Sequence, residues 1–175
     1  EYVDSIDVYS MVYVSDGLLV TGFMVRPKSK GKYPSVIFNR GGNRDHGQLL
    51  VGTALTKMGV IAAQGYVVIA SNYRGNSNSE GKEEFGGSDV NDVINLIPAL
   101  GQIDVADTSR IGMIGVSRGG MMAYLALKEI CNIKAVAVIG GLSDLFIMKE
   151  KRPELESHVY TSIIPHYNDS TESIL

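Results

Sequence analysis

Gly115-Val116-Ser117-Arg118-Gly119 is the stretch of this chain best suited to covalent chemistry. It fits G-x-S-x-G, in which a serine stands on a strained corner between a buried strand and a helix. Glycine is required two residues before and two after, because a Cβ at either place would collide across the corner or with neighbouring strands. The corner also aims the first amides of the new helix at the reaction centre. Those amides have no partner inside the helix and sit at its positive dipole end. The chemistry implied is attack of Ser117 Oγ on an ester or amide carbonyl, with the Arg118 amide as one oxyanion donor. In a chain with 20 glycines the pentapeptide alone is a weak signal. Its setting strengthens it: the apolar run Ile111 to Ile114 precedes it, and the helical run Met121 to Leu127 follows. The glycines at 112, 115, 119 and 120 do not fit the G-x-G-x-x-G spacing of a dinucleotide-binding turn.

A serine nucleophile needs a base to take its proton and an acid to hold that base's tautomer. The chain has three histidines, His46, His158 and His166. Where such a serine sits on a G-x-S-x-G corner, the chain order is serine, acid, histidine, which removes His46. The one ordered set in the chain is Ser117 with Asp144 and His158 or His166. Ser143-Asp144 reads more simply as the N-cap of a helix through Phe146 and Met148. The two histidines read more simply as polar residues on a solvated tail. On the residues alone this set is therefore the less economical reading.

The elements that must hold Ser117 follow from the apolar runs and turn residues. Val8 to Val14 and Leu18 to Val25 read as strands joined at Ser15-Asp16-Gly17. Pro34 to Asn39, Tyr66 to Ser71 and Ala135 to Ile139 read as further strands, the last two buried. Helices are expected over Leu49 to Ala63, through Val90, Val93, Ile94 and Ile97 with Ser88-Asp89 as cap, and over Gly119 to Glu129. Alternation of strand and helix from 34 to 141 implies a parallel sheet with helices on both faces and right-handed crossovers. The turns at 40–47, 72–87 and 115–120 all follow strands. They open on one sheet edge, where ligands of such folds bind.

Three blocks in order carry a resemblance: Asn72-Tyr73-Arg74-Gly75; Gly86-Gly87-Ser88-Asp89-Val90-Asn91-Asp92-Val93; and Asp107-Thr108-Ser109-Arg110-Ile111-Gly112 running into Gly115–Gly120. Over residues 34 to 145 the chain resembles the catalytic domain of prolyl oligopeptidase-type serine hydrolases. That family includes dipeptidyl and acylaminoacyl peptidases and related esterases. The resemblance implies an α/β-hydrolase fold: a mostly parallel sheet with helices on both faces, preceded by an antiparallel hairpin and incomplete at the C-terminus. Residues 1–175 would be a single domain, the N-terminal two-thirds of the full one. It implies Ser117 as nucleophile and hydrolysis of a small ester or a peptide. The loop Arg40-Gly41-Gly42 resembles the one that supplies the second oxyanion donor, which here would be a backbone amide of Gly41 or Gly42. Some members carry a tyrosine where Arg40 stands. Arg40 and Tyr73 are the candidate substrate-side residues, Tyr73 either lending its hydroxyl or merely packing. In the family the acid follows a further strand and the histidine a later loop; nothing from 142 to 175 reads as either, so the resemblance implies an acid and a base outside this chain. A non-catalytic hydrolase-fold module acting through association is the alternative.

The remaining residues set bounds. A net charge of −3 without a long charge run points away from nucleic acid and anionic membranes. No apolar run reaches a membrane-spanning length, and Glu1-Tyr2-Val3-Asp4 has no signal-peptide character, which favours the cytoplasm. No His/Cys/Glu cluster has metal-ligand spacing, so neither metal nor cofactor is implied. Cys131, the one cysteine, reads as a small buried hydrophobe. Arg74 is expected to pair with Asp89 or Asp92 rather than face substrate. The Arg118 side chain either contacts substrate or is solvated. Met113, Met121 and Met122 read as core filling. An incomplete domain would leave a sheet edge uncovered, open to self-association.

Overall fold

The computed structural model describes residues 2–167. Asp16 and Gly17 both take positive φ, 51° and 80°, the two-residue turn whose twist matches flanking strands. They join β1, Ile6–Ser15, to β2, Leu18–Pro27, as an antiparallel pair. The hairpin is part of the main sheet, because β2 also pairs antiparallel with β4, Val67–Ser71. β3, Tyr33–Asn39, runs parallel to β4 on one side and to β5, Ala106–Val116, on the other. β6, Ile133–Ile139, runs parallel to β5. The strand order is β1-β2-β4-β3-β5-β6.

Alternation along the central strands divides the core in two, as a period of two requires. Val36, Phe38, Val68 and Ala70 face a helix whose segments Val51–Thr53, Ala54–Met58 and Gly59–Ala62 run on without a break, the middle one π-wound. Ile37, Val67, Ile69, Ile111 and Met113 face the helices Val90–Ile94, Leu96–Leu100 and Arg118–Ala126. Met121 and Met122 fill this second core, as expected. It also takes Tyr160, Ile163 and Tyr167 from the tail, which is therefore docked rather than merely solvated.

Two sequence expectations are corrected here. β6 was expected to be buried; most of it is exposed, with Ile139 62% accessible. It pairs only with β5, and no described strand lies beyond it. Cys131 is exposed too, on the connection from the helix Arg118–Ala126 to this edge.

One topological feature positions the site. From β3 the chain turns to β4 on one side, while from β5 it turns to β6 on the other. The carboxyl ends of β3 and β5 lie adjacent, with Asn39 opposite Gly115. Strand order reverses between them, the place where ligands of open α/β sheets bind.

Candidate active site

Ser117 stands at that point of reversal, between the last residue of β5 and the first of the helix Arg118–Ala126. Its backbone, φ 53° and ψ −121°, is one that L-residues rarely adopt. Its N–H donates to Ile139 O at 2.9 Å, which ties the corner to the end of β6. The residue is exposed, and among the described residues its Oγ has no hydrogen-bond partner. The flanking glycines are dictated by contact. A Cβ on Gly115 would lie 2.4 Å from Gly119 O, and one on Gly119 would lie 2.0 Å from Asn39 O. Helix, corner and β3 touch backbone to backbone.

The loop after β3 arrives at the same corner. A Cβ on Gly41 would come within 2.9 Å of Val116 O and 3.1 Å of Ser117 Cβ, so this backbone passes directly beside the serine. Gly42 takes φ +77°. Among the described residues the N–H groups of Gly41, Gly42 and Arg118 make no hydrogen bond. Three backbone donors without partners among the described residues thus lie on the two segments that meet at this corner.

The side chains expected on the substrate side lie elsewhere. Arg40 is 2% exposed; its Nη2 and Nε donate to Asn72 O at 2.7 and 3.2 Å, and its Nη1 to Gly41 O at 3.2 Å. Tyr73 is fully buried, φ +68°, and its hydroxyl donates to Arg40 O at 3.1 Å. Burial pushes that hydroxyl's pKa well up and pulls that of the Arg40 guanidinium below its ordinary value. Of the two roles open to Tyr73, packing is the observed one. Its ring stacks between two guanidinium groups, Arg40 at 5.0 Å and Arg118 at 4.9 Å. The Arg118 side chain is neither solvated nor free to meet substrate. It turns inward, 1% exposed, onto Glu83 and Asp89.

Arg74 pairs with Asp92 as expected, through Nε at 3.1 Å and Nη2 at 2.8 Å, and reaches Asp16 at 2.8 Å. Asp89 does not cap its helix; its carboxylate accepts from Gly86 N at 2.9 Å and meets Arg118. Burial raises its pKa above the usual carboxylate value, against the pull of Arg118.

The in-chain acid and histidines are not assembled. Asp144 is exposed and caps the helix Leu145–Lys151, Oδ1 accepting from Ile147 N at 2.9 Å. His158 is exposed and its Nδ1 lies 2.8 Å from Glu154 O. His166 is exposed and lines a hollow with Glu84, Phe85, Gly86 and Gly87. His46 is exposed on the loop after β3. Among the described residues none of these bonds to Ser117.

Glu83, Asp89 and Phe85 around Arg118 were not singled out from sequence as partners of this corner. The available signal was steric: a residue in the first turn of a helix wedged against the sheet must bury its side chain, and a buried arginine needs acids. Among the described residues no group of three or more His, Cys, Asp or Glu is placed to hold a metal. No described helix is long and apolar enough to cross a membrane.

The profile of the X-Pro dipeptidyl-peptidase (S15) family matches residues 16–152. The chain is similar to YtmA, an uncharacterised peptidase of Bacillus subtilis: 36% identity over 148 residues, 84% of this chain and 56% of YtmA. It is similar to dipeptidyl peptidase 8 of Homo sapiens: 28% over 143 residues, 75% of this chain and 16% of that protein. Among solved structures, the acylaminoacyl peptidase of Pyrococcus horikoshii superposes with a TM-score of 0.65 at 28% identity, over 79% of this chain and 24% of that one. The esterase Est22 superposes with a TM-score of 0.63 at 23% identity, over 72% of this chain and 40% of that one, a likeness of fold alone. The chain spans about half the length of YtmA and less of the others.

Proposed function

Because this chain belongs to the X-Pro dipeptidyl-peptidase (S15) family of peptidases, we propose that it carries the nucleophilic part of a serine hydrolase, with Ser117 attacking an ester or peptide carbonyl. Its fold is the α/β-hydrolase fold expected from sequence. The observation that carries the reading is the corner itself. An exposed serine stands outside regular structure on a positive φ, where two segments meet whose three amides make no hydrogen bond among the described residues.

The chemistry follows in order. Ser117 Oγ bonds to the carbonyl carbon as its proton passes to a general base. Negative charge gathers on the carbonyl oxygen, and the amides of Arg118 and of Gly41 or Gly42 receive it without having to reorganise. The tetrahedral centre then expels the leaving amine or alcohol, which takes the proton from the base. Water cleaves the resulting acyl ester by the same steps. No described histidine reaches Ser117, so the base and its acid are assigned to the part of the relatives' length that this chain does not span.

Labelling of the full-length protein with a fluorophosphonate, followed by peptide mapping, tests the reading. The label is expected on Ser117, and Ser117→Ala is expected to lose both label and turnover of p-nitrophenyl esters. Retention of turnover by that variant rejects the assignment.

A further inference from the structure

Arg118 follows Ser117 directly, and its guanidinium is the hub of a buried charge cluster. Nη1 donates to Gly42 O at 3.2 Å and pairs with Glu83; Nη2 pairs with Asp89. The rings of Tyr73 and Phe85 lie 4.9 and 4.8 Å from it. The second oxygen of Glu83 accepts from Arg44 N at 2.9 Å. One guanidinium therefore grips the Gly42–Arg44 backbone twice, once directly and once through a carboxylate. Arg40 completes the grip with its bond to Gly41 O at 3.2 Å.

These bonds fix the direction of the loop amides. In a planar trans peptide the carbonyl and the following N–H point opposite ways. Gly41 O is drawn toward Arg40, so the Gly42 N–H is turned away from it. Gly42 O is drawn toward Arg118, so the next plane, which carries the Asn43 N–H, is set as well and Gly42 is held on both sides. The cluster balances two positive side chains, Arg40 and Arg118, against Glu83 and Asp89. A buried ion set is a weak device for stability, since apolar residues of the same volume do as well or better. What this one supplies is orientation, and it is applied to the segment that runs past Ser117.

We propose that the Arg118 side chain, acting through Gly42 O and Glu83, is a positioning residue that pins the far side of Gly42, so that the Gly42 amide, whose plane Arg40 sets through Gly41 O, stays where it shares the oxyanion with the Arg118 amide. The proposal rests on the reading of Ser117 as nucleophile. One residue would then serve both halves of the oxyanion site, its backbone as a donor and its side chain as the strut of the other donor.

The test uses Arg118→Lys and Glu83→Gln in the full-length protein. Lysine keeps the charge but cannot hold a carbonyl and two carboxylates in one plane. Glutamine keeps an acceptor for Arg44 N but weakens the tie to Arg118. Misplacing one oxyanion donor by a fraction of an ångström is expected to lower kcat on a p-nitrophenyl ester about 10- to 100-fold for Arg118→Lys, less than the loss of a donor outright. The drop for Glu83→Gln is smaller. In both variants KM stays within about two-fold, and end-point fluorophosphonate labelling of Ser117 stays stoichiometric. If kcat per labelled site is unchanged in both variants, or if the loss lies in KM, the proposal is overturned. Should Arg118→Lys fail to fold, the kcat and KM of Glu83→Gln decide alone. A parent protein that hydrolyses the ester without labelling at Ser117 rejects the nucleophile assignment instead, so the two failures are distinct.

Discussion

At the scale of single residues, Ser117 trades stability for exposure. A non-glycine residue with positive φ costs about 1–3 kcal/mol, carried by the structure around it. Here that structure is the Ser117 N–H bond to Ile139 O and the glycine contacts on either side. The cost belongs to the Cβ and not to the hydroxyl, which gives a clean comparison. Ser117→Gly is expected to be more stable than Ser117→Ala by about 1 kcal/mol, because glycine accepts this backbone without strain. Both should be inactive. Thermal unfolding of the two variants side by side checks this; equal midpoints would mean that the corner is unstrained. Spacing made Ser117, Gly115 and Gly119 legible, because a collision over two or four residues is a local matter. Arg40 and Arg118 misled because arginine is rarely buried. What turns them inward is the Tyr73 ring, 33 or more positions away in sequence, together with acids that a distant loop delivers.

At the scale of elements, the loop after β4 is held by a second buried ion pair. Arg74 is clamped on Asp92, which also accepts from Ser15 Oγ at 2.6 Å and from Arg74 N at 2.6 Å, so hairpin, loop and helix Val90–Ile94 meet at one carboxylate. Removing one partner of such a pair leaves the other buried and uncompensated. Asp92→Asn is expected to cost about 3 kcal/mol, read as a fall in the urea midpoint at constant slope. Asp16 adds a pH-dependent part at the surface. Its bonds from Arg74 and then Asn91 hold its carboxyl below the usual carboxylate range. A depressed acid contributes stability above its unfolded pKa and loses it as pH falls through the folded one. Asp16→Asn should therefore flatten the decline of the urea midpoint between about pH 5 and pH 3; an unchanged decline would show that the turn is not coupled to the loop. Asp16-Gly17 was legible as a turn, because two-residue hairpins are fixed by their own residues. That Asp16 also anchors residue 74 was not, since turn chemistry says nothing of what packs above it.

At the scale of the whole molecule, the described residues build six strands of a sheet and leave β6 at its margin largely exposed. Alternation of strands and helices gave the layers, and the glycine turns gave the active edge, because both are written in local pattern. The neighbours of β6 are not local. An apolar run such as Ala135 to Ile139 reads the same in the middle of a sheet and at its margin, so its exposure could come only from the structure. There Ile139 and Val136 are open, next to an apolar groove that β3, β5 and β6 share with Ile61 and Tyr66. An edge strand whose one charge is Lys134, beside exposed apolar surface, is a template for pairing. Residues 1–175 produced alone are therefore expected to self-associate through β6, with an elution volume on size exclusion that falls as loading rises. Ile139→Lys places a charge on that strand without touching a buried contact, and it should restore a concentration-independent monomer. If the unmodified chain elutes as a monomer at every loading, the uncovered edge is already blunted by its own twist or by Lys134, and the surface offers no association.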